Sequence, residues 1–170
     1  MCERVPIFDS LTKKPKDIRK NMRKRFEQQR KLGVISISEV KLPLKSRDEL
    51  PPILRALQHI YVTPELNEEV FRILEEKVQK GKKKTGRYGM ELWHILVLSV
   101  VRLGLDADYD RLDDFANHHK LIRQILGVET TCGEGKRFSR QSIQDNVSLL
   151  DEETIRQINE VVISSGHQLV

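Results

Sequence analysis

Five carboxylates fall within nine residues of this chain, at Asp106, Asp108, Asp110, Asp113 and Asp114. Clustered acids can hold two metal ions about 4 Å apart for phosphodiester hydrolysis, provided rigid elements aim them at one point. Here they straddle a loop and a helix start. Asp106, Asp108 and Asp110 suit an N-terminal cap or the helix dipole, and Asp113 and Asp114 fall in the early turns. The spacing also lacks the glycine and closing glutamate of a calcium loop. These acids are therefore read as helix-start charges and no catalytic residue is assigned. His118 and His119 are adjacent and diverge on a helix, which disfavours a shared metal, and Cys132 with either of them makes only a weak zinc option. His94 lies in an apolar stretch and reads as a hydrogen-bonded core residue. No serine sits in a nucleophile elbow. Gly81, Gly86 and Gly89 lack the strand and the order that a phosphate-cradling loop needs.

The stronger chemical signal is basic. Residues 1–33 carry eleven Lys/Arg against four Asp/Glu, whereas the remaining residues carry nineteen against twenty-one. A second run, Lys80–Arg87, contains no acid. Localised positive charge is the electrostatic footprint of a polyanion, usually nucleic acid. Aromatics are only 5% of the chain, which argues against a single-strand binder built on base stacking. Arg19, Arg23 and Lys24 of the arm, with Lys20 and Arg25, are expected to track phosphates. So are Lys82, Lys83, Lys84, Arg87, Lys136 and Arg137, contacts that position without specifying. Arg140, Gln141 and Gln144, with Asn146 beside them, would project from a helix whose apolar face is Ile143, Val147 and Leu150. Arg pairs with guanine and Gln or Asn with adenine in the major groove.

The elements that must hold these groups read as helices. Pro15–Lys31 predicts a thin amphipathic helix through Ile18, Met22 and Phe26, stopped by Gly33, and Val34–Leu44 predicts a linker. Pro51-Pro52 open a helix running to Tyr61. Thr63-Pro64 starts the best-specified one, with Leu66, Val70, Ile73, Leu74 and Val78 on one face and Gly81 beyond its end. Met90–Leu103 is apolar nearly all round and predicts a buried central helix. Asp110–His118, Lys120–Leu126, Arg140–Leu150 after a Ser139 cap, and Glu152–Ser165 after Asp151 complete the set, with Gly127 and Gly166 as stops. The expectation is all-α: a compact multi-helix domain with helix-turn-helix-like elements behind a basic, partly disordered N-terminal arm. The expected divisions are an arm and linker over 1–45, a helical hairpin over 46–80, a basic Gly/Lys loop over 81–89 and a helical DNA-binding domain over 90–170. Cys2 and Cys132 are too few and too distant for a disulfide framework. The first residues lack the apolar run of a secretory signal. The most apolar stretch, Leu92–Leu103, is shorter than the about 20 residues a membrane span needs, so a cytoplasmic protein without membrane contact is expected.

Four stretches resemble the N-terminal region of bacterial DDE-type insertion-sequence transposases. They are Gly86–Asp106 (GRYGMELWHILVLSVVRLGLD), Tyr109–His118 (YDRLDDFANH), Leu121–Gly127 (LIRQILG) and Phe138–Leu150 (FSRQSIQDNVSLL). The order is an apolar helix, a short acidic helix, an Arg-x-x-Leu-Gly turn and a Ser-x-x-Ser-Ile helix, and the resemblance covers roughly residues 48–170. It implies a helical domain that binds the terminal inverted repeats of a transposon as double-stranded DNA, with a second copy or a full-length transposase as protein partner. In that family a ribonuclease-H-like domain follows, holding magnesium on three acidic residues. The sequence stops at Val170, about where that domain would begin, so a truncated chain with no enzyme activity and no cofactor of its own is expected. A self-associating helical adaptor without DNA binding is the alternative left open by the residues.

Overall fold

A computed structural model describes residues 23–28, 32–43, 45–79, 89–130 and 135–167. Among these the regular elements are all helical: α1 (Leu50–Val62), α2 (Pro64–Gln79), α3 (Leu92–Gly104), α4 (Tyr109–His118), α5 (Lys120–Leu126), α6 (Arg140–Val147) and α7 (Glu152–His167), with one 3-10 turn at Ile37–Glu39 and no strand. None of these helices is long and apolar enough to cross a membrane. The all-α expectation is met.

The centre is α3. Leu92 to Ser99 are all buried, as is Val101, because a helix apolar on every side is stable only when wrapped. It packs against α1, α2, α4, α5 and α6, while α7 lies on α2. The α1–α2 hairpin turns on the single residue Thr63 and adds Leu54, Leu57, Val70, Phe71 and Leu74 to the same core that Leu112, Ile122, Ile125 and Ile143 fill from the other side. Hairpin and C-terminal helices thus share one core. Trp93, fully buried, satisfies its indole by donating Nε1 to the Ile125 carbonyl at 2.8 Å.

Caps fix the helix starts. Asp108 accepts the Arg111 amide and Ser139 that of Ser142, and Asp151 takes both the amide and the hydroxyl of Thr154. The α5 stop is Gly127 in the left-handed region at φ 68°. Three boundaries differ from expectation by two residues or more, the first being the start of α3 at Leu92 rather than Met90. α6 finishes at Val147, so Leu149 and Leu150 pack from a turn, and α7 runs through Gly166 rather than stopping there.

The larger correction concerns the arm. The part of the expected helix Pro15–Lys31 that the structure describes, residues 23–28, is not helical. Its backbone lies across the start of α3, where the amides of Leu92 and Trp93 donate to the carbonyls of Lys24 and Arg25 at 3.0 and 3.1 Å. The first amides of any helix lack intrahelical acceptors, and Glu91 supplies no side-chain cap, so this segment acts as the cap. Arg23, Arg25, Phe26 and Gln28 have better partners here than along a solitary amphipathic rod. The linker is equally structural: Ile37 is fully buried, and Gln58 of α1 donates to the carbonyls of Ile37 and Val40 at 2.7 and 3.0 Å.

Gly127 ties these parts together. A Cβ there would sit 2.6 Å from Cζ of Phe26, at a backbone angle that side chains disfavour. Gly127→Ala should therefore lose about 1–3 kcal/mol of stability in urea unfolding. Gly166→Ala, where a Cβ meets nothing within 4 Å inside a helix, should not lose stability and can gain up to about 1 kcal/mol.

Candidate nucleic-acid interface

The described residues just ahead of α6 are held by Asn117 of α4 and Arg123 of α5. Phe138 exchanges two hydrogen bonds with the Asn117 carboxamide, its amide donating at 2.9 Å and its carbonyl accepting at 2.8 Å. Arg123, 5% exposed, reaches the carbonyls of Ala116, Glu129 and Lys136 at 3.0, 2.8 and 3.1 Å. A planar guanidinium serves three divergent carbonyls where a lysine could not. Ser139 then caps α6, and Ile143 and Val147 bury it against α3 and α4. This leaves Arg140 and Gln141 exposed and Gln144 half-buried, with exposed Arg137 just ahead of the helix start. Arg137, Arg140 and the positive end of the α6 dipole thus lie together.

Two of those side chains already have acidic partners. Arg140 pairs with Asp110 of α4, and Gln141 donates to Asp145 at 2.7 Å. Both are surface contacts, worth at most about 1 kcal/mol, and a phosphate or base edge can displace them. Asn146 departs from expectation. It is buried, donates to the Ser142 carbonyl at 2.6 Å and accepts from Arg23, so it does not project with Arg140 and Gln141.

Lys136 is exposed, but its ammonium reaches back toward the core. Its ammonium lies 3.3 Å from Nδ1 of His94, 3.5 Å from Glu91 and 5.5 Å from the Phe138 ring centre. His94 is fully buried between the rings of Phe26 and Phe138 and is 3.0 Å from the Leu126 carbonyl through Nε2. Burial, helped by the Lys136 charge, pulls its pKa from the ordinary 6.5 to about 3. A neutral ring then carries its proton on Nε2, donates to Leu126 and accepts from Lys136 at Nδ1. Glu91, 3.2 Å from Nδ1, forms no ion pair with a neutral imidazole; its charged partner is Lys136. The expectation that His94 is a hydrogen-bonded core residue is met. A cleft of about 200 Å³ lined by Phe26, Glu27, Glu91, Glu129 and Lys136 opens beside it.

In the arm, Arg23 donates to the Met90 carbonyl at 3.1 Å and to Asn146, and burial lowers its pKa. Arg25 reaches Glu75 at 2.6 and 3.0 Å and Glu68 at 3.0 Å through Nη2, which raises its own pKa and holds Glu68 below the usual carboxylate range. Lys24, between them, is exposed. Arg19, Lys82, Lys83, Lys84 and Arg87 lie outside the described residues. Gly89, two residues beyond the second basic run, packs directly on the Arg23 guanidinium: a Cβ at Gly89 would sit 2.5 Å from Cζ of Arg23. Gly89 and Arg23 are therefore direct neighbours.

The aspartates 106–114 do not converge. Asp108 caps α4, Asp110 holds Arg140, Asp113 accepts from Asn117 and Asp114 pairs with His118. Among the described residues no group of three His, Cys, Asp or Glu could hold a metal ion. His119 accepts the Ile122 amide at the start of α5. Sequence reasoning missed Arg123, Gln28 and the carboxylate partners of Arg25. Arg123 had a signal in the Arg-x-x-Leu-Gly spacing. Gln28 and the Arg25 pairs had none, since their partners lie in unpatterned or distant segments. Compared with known protein families, curated proteins and solved structures, the chain matches none.

Proposed function

We propose that the protein binds duplex DNA, with the exposed face of α6 in the major groove and Arg137, Lys24 and the residues of the two basic runs on the phosphates. The observation that carries this reading is a capped helix with its apolar side in the core and Arg140, Gln141 and Gln144 facing out behind Arg137. Long flexible donors at a helix N-terminus suit guanine and adenine edges, and flanking cations supply the salt-dependent part of the affinity. Lys136 contributes once its ammonium turns away from Glu91. Following the resemblance, the sequence recognised is a transposon's terminal inverted repeat, read in the cytoplasm. Strand cleavage and transfer would belong to the ribonuclease-H-like domain of that family.

Binding of the purified chain to the element's own terminal repeats and to scrambled duplexes, at two salt concentrations, tests this. Preference for the repeat should survive the higher salt. Arg140→Ala and Gln144→Ala should each lose about 1–3 kcal/mol on the repeat and much less on scrambled DNA. Equal losses on every sequence would remove α6 from the groove. Self-association with no DNA binding would leave the adaptor reading in its place.

A further inference from the structure

We propose that residues 23–28 form a releasable clasp, latched by the Arg25 ion pairs to Glu68 and Glu75, and that the phosphates of a bound duplex open it by drawing Arg23 and Arg25 from their protein partners. The proposal rests on the reading of the protein as a duplex-DNA binder.

Beyond the Lys24 and Arg25 carbonyls on the α3 amides and the Gln28 carboxamide bonded to Ile35 and Ile37, three side chains hold the closed clasp. Arg25 spans two carboxylates of α2, Arg23 bridges Met90 and Asn146, and Phe26 lies on the imidazole of His94 at 5.0 Å between ring centres. Two of the three are electrostatic. The latch is partly open to solvent: at the side chain Arg25 is 36%, Glu68 68% and Glu75 25% exposed. A guanidinium recognises phosphate with the same two-pronged geometry it uses on carboxylate, so a duplex offers Arg25 an equivalent partner. Salt or a polyanion weakens such exposed pairs far more than it weakens buried contacts.

Closure also strains the backbone. Phe26 holds φ at 131°, a conformation that non-glycine residues adopt only when their surroundings force it. Opening relieves that strain. The neighbouring Lys24 is already exposed, so the three consecutive cations Arg23, Lys24 and Arg25 become one basic stretch when the clasp lifts. Lifting also frees the Oδ1 atom of Asn146 on α6, which Arg23 occupies in the closed form. The consequence is local, because the core of α3 lies below the clasp and only its first turn borrows acceptors from it.

Those borrowed bonds give a direct readout. Hydrogen exchange of the Leu92 and Trp93 amides, followed by NMR on the full chain, reports whether the Lys24 and Arg25 carbonyls are in place. With a short random-sequence duplex as the probe, both amides should exchange ~10-fold faster or more than in the DNA-free chain at the same low salt, while Val97 and Leu98 in mid-α3 keep their protection, as expected for local opening. The double variant Glu68→Gln/Glu75→Gln should show the faster exchange without DNA, and Arg25→Lys, a smaller change, should lie between. Retained protection at Leu92 and Trp93 with the duplex bound would overturn the clasp and leave DNA binding standing. Unchanged exchange in the glutamine variant would overturn the latch. A chain that binds no duplex at all would overturn both readings.

Discussion

Arg123→Met should lower the free energy of unfolding by about 3–5 kcal/mol, since it removes a buried cation that serves three carbonyls and leaves those acceptors without their donor. Met keeps most of the side-chain volume, so the loss reports the polar contacts rather than a cavity. The carbonyls of Glu129 and Lys136 bracket the loop that delivers Arg137 and Ser139 to the start of α6. On the proposed duplex-binding reading, the variant should also lose affinity for DNA under conditions where it is still folded. Urea unfolding monitored by far-ultraviolet circular dichroism measures the first effect. A loss under about 1 kcal/mol would mean that solvent replaces Arg123 without difficulty. The position illustrates why a buried arginine here is not interchangeable with a surface one: its donors hold the carbonyls of Ala116, Glu129 and Lys136.

Stability should also fall as pH drops from about 6.5 toward 4, by up to about 1.4 kcal/mol per pH unit from His94 alone. The sign follows from burial. In the folded protein His94 is neutral, its pKa drawn to about 3 by desolvation and by the Lys136 ammonium. In the unfolded chain it takes up a proton near its ordinary value, so the unfolded state binds more protons across this window and gains as pH falls. The contribution is whole above about 6.5 and is lost progressively below it. Asp151 acts lower on the scale. Its bonds from Lys77 and Thr154 hold its pKa below the usual carboxylate range, so its share is lost only under more acidic conditions. His94→Gln, which keeps a donor for the Leu126 carbonyl but does not titrate, should be less stable at pH 7 and nearly flat between pH 6.5 and 4. Urea midpoints at several pH values for both proteins decide the matter. A parallel decline in the variant would assign the acid sensitivity to other groups.

Elements whose signals are local were legible in the order of the residues. Thr63-Pro64 set the start of α2, Ser139 and Asp108 the starts of α6 and α4, and Gly127 the end of α5, because caps and left-handed stops act over three or four residues. The all-round apolar run in α3 marked it as central, and His94 within it as a core histidine. The outward face of α6 was legible for the same reason, since Ile143 and Val147 set which side is buried. Whatever depends on a partner far along the chain emerged only with the tertiary fold. Phe26 fits a helical stripe only while its segment is considered alone. Near the uncapped start of α3, the described residues 23–28 gain acceptor roles for their carbonyls, carboxylates for Arg25 and an aromatic seat for Phe26, and these long-range contacts outweigh a marginal helical preference. Asn146, which the spacing aligned with the readers of α6, was drawn inward by Arg23 for the same reason. Charge composition could count the arginines of the arm. Which of the described ones face solvent and which hold the fold together depended on where Glu68, Glu75 and Asn146 came to lie.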